Sequence, residues 1–299
     1  MDAIIDAHQH VWDPGRAAYD WLGPELGPIN RAIGIEELIP SLRRAGVVGT
    51  VLVQSADNAE DTRLMLETAG AHPEIVAVVA YVPLDRPEDA AAQLDELRQT
   101  SLVVGVRNLI HTIPDPEWLL RPDVDAGLGV LEDAGATFDL VSVLPEHLAL
   151  VPIISERHPR LRIVIDHLAR PPIGFDAREP WWTQIAEAAA NPLVYAKVSG
   201  LYSATADAGS WTPEGIRPFL DHALESFGPS RLMYGGDWPI SVLSGGYDRV
   251  WDALALLFAE LEPAARASIL GATAIEFYGI DPARVTVAQA LSQTPANHF

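Results

Sequence analysis

The chain has 299 residues, 48% of them apolar and 20% charged, with no low-complexity tract: the composition of a globular protein long enough for one large core. Its 20 Lys and Arg against 41 Asp and Glu leave a formal charge of −21 with no basic run, which argues against nucleic acid or an anionic membrane surface as partner and favours a small, neutral or weakly charged molecule. No cysteine is present, so disulfides, thiolate metal sites and thiol nucleophiles are excluded and His, Asp, Glu and Lys must carry any chemistry.

Between Met1 and His10 the sequence places Asp2 and Asp6 where a secretory signal would need a basic start and a longer apolar stretch. Nor is there a run of about 18 apolar residues anywhere, so a cytoplasmic chain is expected. Short apolar, β-branched runs then alternate with amphipathic segments along the chain. Strands are predicted at Ala3–Ala7, Val48–Gln54, Ile75–Val82, Val103–Arg107, Thr137–Val143, Arg162–Asp166, Leu193–Val198 and Leu232–Gly236. Between and after them, helical patterns occupy Ile35–Ala45, Asp61–His72, Pro87–Gln99, Val124–Ala134, Pro145–Arg157, Trp181–Ala190, Pro213–Phe227 and Tyr247–Leu261.

Eight strand-then-helix units predict an α/β fold, a TIM-like (β/α)8 barrel with room for distortion, in a single domain. A doubly wound open sheet would offer a Gly-rich phosphate loop after its first strand, where this chain has His8-Gln9-His10. The barrel is assigned to residues 1–279, and residues 280–299 to a polar C-terminal tail packed on its outside. The first loop, Val11 to Arg31, is long and carries Trp12, Tyr19 and Trp21, which suits a lid or pocket wall as well as plain packing over the rim.

In such a barrel the chemistry sits at the C-terminal ends of the strands, and here those ends are polar. They deliver His8 and His10, Gln54, Tyr81, Arg107 with Asn108 and His111, Asp139 and Ser142, Asp166-His167, Lys197 and Ser199, and Asp237-Trp238-Pro239. Residues i and i+2 point to the same side of a strand, so His8 and His10 aim two imidazoles into one mouth, as a ligand pair or a proton-handling pair. Asp237 stands where Trp238-Pro239 forces the chain out of the strand. Arg107 and Lys197 are costly to bury alone, so each either pairs with a protein carboxylate or awaits one on a substrate. His72, His147, His158, His222 and His298 fall in helices or at a terminus, where solvated or capping roles are expected.

The segments I-I-D-A-H-Q-H-V-W-D-P, V-L-V-Q, V-G-V-R, W-L-L-R-P-D-V, I-D-H-L-A-R-P, K-V-S-G-L and L-M-Y-G-G-D-W-P resemble the amidohydrolase-related family. The branch is that of L-fuconolactonase, L-rhamnonolactonase and the 2-pyrone-4,6-dicarboxylate and sulfomuconolactone lactonases. The likeness spans about residues 3 to 279. It implies catalytic roles for His8, His10 and His167, a base in Asp237 and a substrate contact in Arg107. Gln54, Tyr81, Asn108, Lys197, Trp12 and Trp238 are expected to bind substrate. The sequence departs from the branch with R-N-L-I-H, D-H-L-A-R-P and G-G-D-W-P, which leaves the substrate open.

Strand five offers no histidine and strand four no bridging lysine, so a two-metal centre is not expected. His8, His10 and Asp237 could hold one weakly bound divalent ion, Zn or Mn, or the site works with none. The reaction expected is hydrolysis of a small, sugar-derived lactone, with Asp237 taking a proton from water and the histidines, Arg107 or one metal polarising the carbonyl. A metal-dependent decarboxylase or another hydrolase of the family is the enzymatic alternative. A sugar-acid binding protein on a decayed barrel is the non-enzymatic one.

Overall fold

Strands form where the sequence concentrates Val, Ile and Ala in short runs, and their near-continuous burial is that of a parallel sheet covered on both faces. The computed structural model describes residues 3–204 and 209–292. The strands are β1 (Ile4–Gln9), β2 (Val47–Val53), β3 (Ile75–Ala80), β4 (Val103–Asn108), β5 (Thr137–Leu140), β6 (Arg162–Ile165), β7 (Val194–Val198) and β8 (Leu232–Tyr234). They hydrogen-bond in sequence order, each parallel to the next, as a TIM-like (β/α)8 barrel. The main helix after each strand is, in turn, α1 (Ile39–Ala45), α2 (Ala59–Ala71), α3 (Pro87–Leu97), α4 (Pro122–Ala134), α5 (Pro145–Arg157), α6 (Trp181–Ala189), α7 (Pro213–Phe227) and α8 (Tyr247–Ala259).

Local signals set these helix ends. Proline opens α3, α4, α5 and α7, where its missing N–H costs nothing. Asn58 caps α2 by accepting the Asp61 N–H at 2.9 Å. Between the helices and the barrel runs one apolar layer that includes Leu52, Val78, Phe138 and Ile165. A second cluster lies around Ile5, Ala7, Val51, Val53, Val79 and Met233.

The distortion anticipated for the barrel is at its seam. Between β8 and β1 the ladder reduces to one parallel bridge, Gln9 to Trp238, with His10 N donating to Trp238 O at 2.8 Å and Asp237 N to His8 O at 2.9 Å. Side chains supply the rest. One oxygen of Asp6 accepts from His8 N at 3.0 Å and Gly236 N at 2.9 Å, and the other accepts from Tyr247 Oη at 2.8 Å and from the Gln9 amide. Gln9 Oε1 in turn accepts from Trp238 N at 3.1 Å.

Several predicted boundaries move. The strand pairing of β1 runs on through Gln9, so His8 belongs to the strand, while β5 stops at Leu140, before Ser142, and β8 at Tyr234, before Asp237. After α9 (Pro263–Ala267) and α10 (Thr273–Tyr278), the segment expected to be a polar tail contains a further helix, α11 (Pro282–Ser292). Val285 and Ala288 of α11 join Ile5 and Val51 in the second cluster, so this segment is part of the core packing. Residues 293–299, with His298, lie outside the described residues, as do Met1 and Asp2. No helix among the described residues is long and apolar enough to cross a membrane.

Candidate active site

The strands' C-terminal ends open into a cavity of about 400 Å³. Its polar lining includes His10, His167, Asp237, Arg107, His111 and Arg170, and its walls include Trp12, Trp21, Leu26, Val141, Ile240 and Leu243. The first loop is pinned as one wall. Trp12 Nε1 donates to Ile29 O at 3.1 Å, Trp21 Nε1 donates to Ser55 O at 2.7 Å, and the two rings meet edge to face at 5.1 Å.

At the floor three imidazoles surround one carboxylate oxygen. Asp237 Oδ1 lies 3.8 Å from His8 Nε2, 3.7 Å from His10 Nε2 and 3.9 Å from His167 Nε2. Tyr202 Oη donates to the other oxygen, Oδ2, at 3.1 Å. The backbone is bent to achieve this: Asp237 sits at φ 50°, and His167 to Arg170 all have positive φ, a run that turns His167 back over the mouth. Gly200, at φ +58°, is required beside it, because a Cβ there would meet His167 Nδ1 at 2.5 Å.

Each imidazole is oriented through its other nitrogen. His10 Nδ1 donates to Val53 O at 2.7 Å, which leaves Nε2 as an acceptor facing the cavity side. His167 Nδ1 is 2.8 Å from Ser199 Oγ, and His8 Nδ1 is 3.1 Å from Lys197 Nζ. Burial drives His8 well below its ordinary value, opposed by Asp166 and reinforced by Lys197, and it lowers His167 as well. For Asp237 burial works toward a raised value, but His167, His10 and Tyr202 outweigh it and hold the carboxyl below its usual 3.8.

Below this floor is an ionic layer. Lys197 Nζ lies 2.5 Å from Asp139 Oδ2 and 3.0 Å from Asp166 Oδ1, and Arg107 NH1 donates to Asp166 Oδ2 at 2.9 Å, all four side chains being buried. Tyr278 Oη donates to Asp139 at 2.7 Å. Burial pushes Asp139 up to about 6 against the pull of Lys197. Asp166, which burial would also raise, is held well below its ordinary value by Lys197, His8 and Arg107.

The structure therefore gathers His8, His10, His167, Asp237, Arg107 and Trp12, and separates other expected site residues from the cavity. Lys197 is fully buried, paired with two carboxylates and absent from the cavity lining. Gln54 is turned inward, its amide donating to Asp57 and to Arg107 O. Asn108 donates to Val82 O, and Tyr81 binds Thr62 and Gln93 through its backbone. Neither they nor Trp238 line the cavity. His111 and Arg170 do. His111 had a signal, lying just beyond the end of β4, whereas Arg170 is brought in by the left-handed run, which no periodicity reports. Elsewhere His147 is buried rather than solvated, and His222 stacks on Trp182 at 3.8 Å.

For a metal ion, the ligand atoms of His8, His167 and Asp237 lie within 4.8 Å of one another. His167 thus joins the set where His10 was expected. His10 Nε2 stays alongside, 3.1 Å from His8 Nε2. Imidazole nitrogens with one carboxylate form a donor set that fits Zn²⁺ or Mn²⁺, and the Nδ1 contacts of His10 and His167 are the outer hydrogen bonds that such ligands use.

The chain is 37% identical over 292 residues to an L-fucono-1,5-lactonase of Burkholderia ambifaria, covering 94% of this chain and 97% of that one. It is 32% identical to an L-fucono-1,5-lactonase of Burkholderia multivorans, over 92% and 96% of the two chains. The crystal structure of a Burkholderia multivorans amidohydrolase with bound zinc superposes with a TM-score of 0.86 at 30% identity, over 93% of this chain and all of that one. The amidohydrolase family model matches residues 5–280, and the chain belongs to the amidohydrolase family.

Proposed function

We propose that the protein hydrolyses a small lactone, a sugar-derived one of the L-fuconolactone type, in the cavity floored by Asp237. The observation that carries this reading is the placement of Asp237 Oδ1 within 3.9 Å of three imidazole nitrogens, at the base of a pocket walled by Trp12 and Trp21. Apolar and aromatic walls with few polar groups suit the C–H faces and hydroxyls of a sugar ring. The likeness to L-fucono-1,5-lactonases over nearly the whole chain supports the same substrate class.

Lactone opening requires a water deprotonated as it attacks, stabilisation of the developing oxyanion and a proton for the departing ring oxygen. With Oδ2 held by Tyr202, Oδ1 of the ionised Asp237 is the oxygen that takes the water's proton. Arg107, fixed by Asp166 and by Gln54 O, brings its positive charge to the cavity and stabilises the oxyanion. His167, held by Ser199, or the protonated Asp237 then returns a proton to the leaving oxygen. A divalent ion held by His8, His167 and Asp237 would add Lewis-acid polarisation of the carbonyl, a role consistent with the zinc in the Burkholderia multivorans relative.

Ser55, His111 and Arg170 replace Gln54, Asn108 and Tyr81 as the groups to hold ring substituents. Because Arg107 and Arg170 both line the cavity, a lactone bearing a carboxylate is the second reading. The test compares kcat/KM for L-fucono-, L-galactono- and L-rhamnono-lactones with 2-pyrone-4,6-dicarboxylate and a muconolactone, before and after chelation. A tenfold preference for either of the last two overturns the sugar assignment, and no activity on any of the five overturns the lactonase reading.

A further inference from the structure

A neutral histidine carries one N–H and one lone pair, and its neighbours decide which nitrogen holds which. Lys197, on β7 beneath the cavity floor, can only donate, and its Nζ is in hydrogen-bonding position 3.1 Å from His8 Nδ1. Asp166 Oδ1, the competing acceptor, lies farther from that nitrogen, at 3.3 Å, and is itself drawn to Lys197 Nζ at 3.0 Å. On the far side of the ring, His8 Nε2 lies 3.1 Å from His10 Nε2. His10 has its proton on Nδ1, engaged with Val53 O at 2.7 Å, so its Nε2 can only accept.

We infer that Lys197 is a positioning residue that fixes His8 as the Nε2–H tautomer, so that His8 donates to His10 and a divalent ion must displace this hydrogen bond to use His8 as a ligand. The chain then runs in one direction: Lys197 Nζ–H to His8 Nδ1, His8 Nε2–H to His10 Nε2, His10 Nδ1–H to Val53 O. The opposite tautomer sets an N–H of His8 against the Lys197 ammonium and turns two lone pairs toward each other across 3.1 Å, an arrangement that needs a cation between them. Besides Asp166 Oδ1, one contact favours that opposite tautomer, Arg107 NH1 at 3.4 Å from His8 Nε2. It is the longest in the set, and the same NH1 already donates to Asp166 at 2.9 Å. Lys197 thereby sets the balance between a hydrogen-bonded floor and a metal-holding one.

The catalytic consequence rests on the lactonase reading, but the tautomer does not, and the test reads it without turnover. The full-length protein is stripped of metal and labelled with ¹⁵N in its histidines, and ring ¹H–¹⁵N correlation spectra are recorded, with His8→Gln assigning the His8 signals. The expected result is an Nε2–H pattern for His8, which zinc converts to the Nδ1–H pattern. In Lys197→Met the metal-free protein shifts toward Nδ1–H, and competition with a chelator shows zinc bound at least tenfold more tightly. An Nδ1–H pattern in the metal-free wild type overturns the inference, even if Lys197→Met fails to fold. So does an unchanged His8 pattern in a folded Lys197→Met, or zinc held no more tightly by that variant.

Discussion

The side chains that the barrel strands bury fall into two regions with different physics. One is apolar, built around Ile5, Val51, Val53, Val79 and Met233, with α10 and α11 packed against it. The other, carried by β4 to β7, holds Arg107, Asp139, Asp166 and Lys197 out of water. The apolar region gains stability from buried area, on the order of 25 cal/mol per Å². The ionic region gains little net stability, because desolvating paired charges offsets most of their attraction. What it supplies is orientation, holding Arg107 and His8 from below while Asp237 and His167 meet them from above. The contrast teaches that burial in this fold serves two ends, and that substitutions should separate them.

Lys197→Met is the harshest way to break the contrast. It strands Asp139 and Asp166 without their shared cation, and a loss of about 3–5 kcal/mol in unfolding free energy is expected. Protonation of Asp139, already raised to about 6, keeps the loss from growing further. Urea unfolding of the variant checks this, and a change under 1 kcal/mol would mean that Asp139 and Asp166 do not depend on Lys197 as their shared cation.

Asp237→Asn comes next and acts on rate rather than fold. Removing the base should lower kcat by about 10²-fold or more, while the amide oxygen can still accept from Tyr202 and the melting temperature stays near wild type. A folded variant with near-normal turnover would assign the base elsewhere.

In the apolar region, Ile5→Val removes one fully buried methylene and should cost about 0.5–1.5 kcal/mol with kcat unchanged. A fall in kcat beyond threefold would show that the two regions are mechanically coupled. The smallest effect expected is one of pH. Asp237 is held below 3.8 and His8 and His167 below 6.5, so kcat/KM should be flat from about pH 7 to 8, with no acid limb centred on the ordinary imidazole value. The sign for stability follows: the Asp237 contribution is complete above its unfolded value of 3.8 and is lost as pH falls through the lower folded value. An acid limb centred at 6.5 would place a normal imidazole in the rate-determining chemistry.

The barrel was legible because strand and helix periods alternate eight times, and the floor because His8, His10, His167 and Asp237 all fall at strand ends. The pocket's polar rim was not. Gln54, Asn108 and Tyr81 also lie at strand ends, Asn108 still paired with Leu140, but nearby groups such as Asp57, Val82 O and Thr62 claim these residues first. Arg107 and Lys197 left two partners open in the sequence, and only packing brings Asp166 and Asp139 within reach. Arg170 enters on a left-handed run whose cause is tertiary.

The polar seam has a consequence for how activity arises in a growing chain. Asp6 and Gly236, bonded to one another, are 230 positions apart, and Asp237 follows directly after. A ribosome must release the chain through Asp237 before its carboxylate can face His8, His10 and His167, so no nascent fragment ending before β8 gathers these groups. Until then Asp6 and the amide of Gln9 sit on an open edge as hydrophilic groups, which disfavours pairing of that edge with another chain. The side chains that later close the seam are thus the ones that guard the unfinished edge.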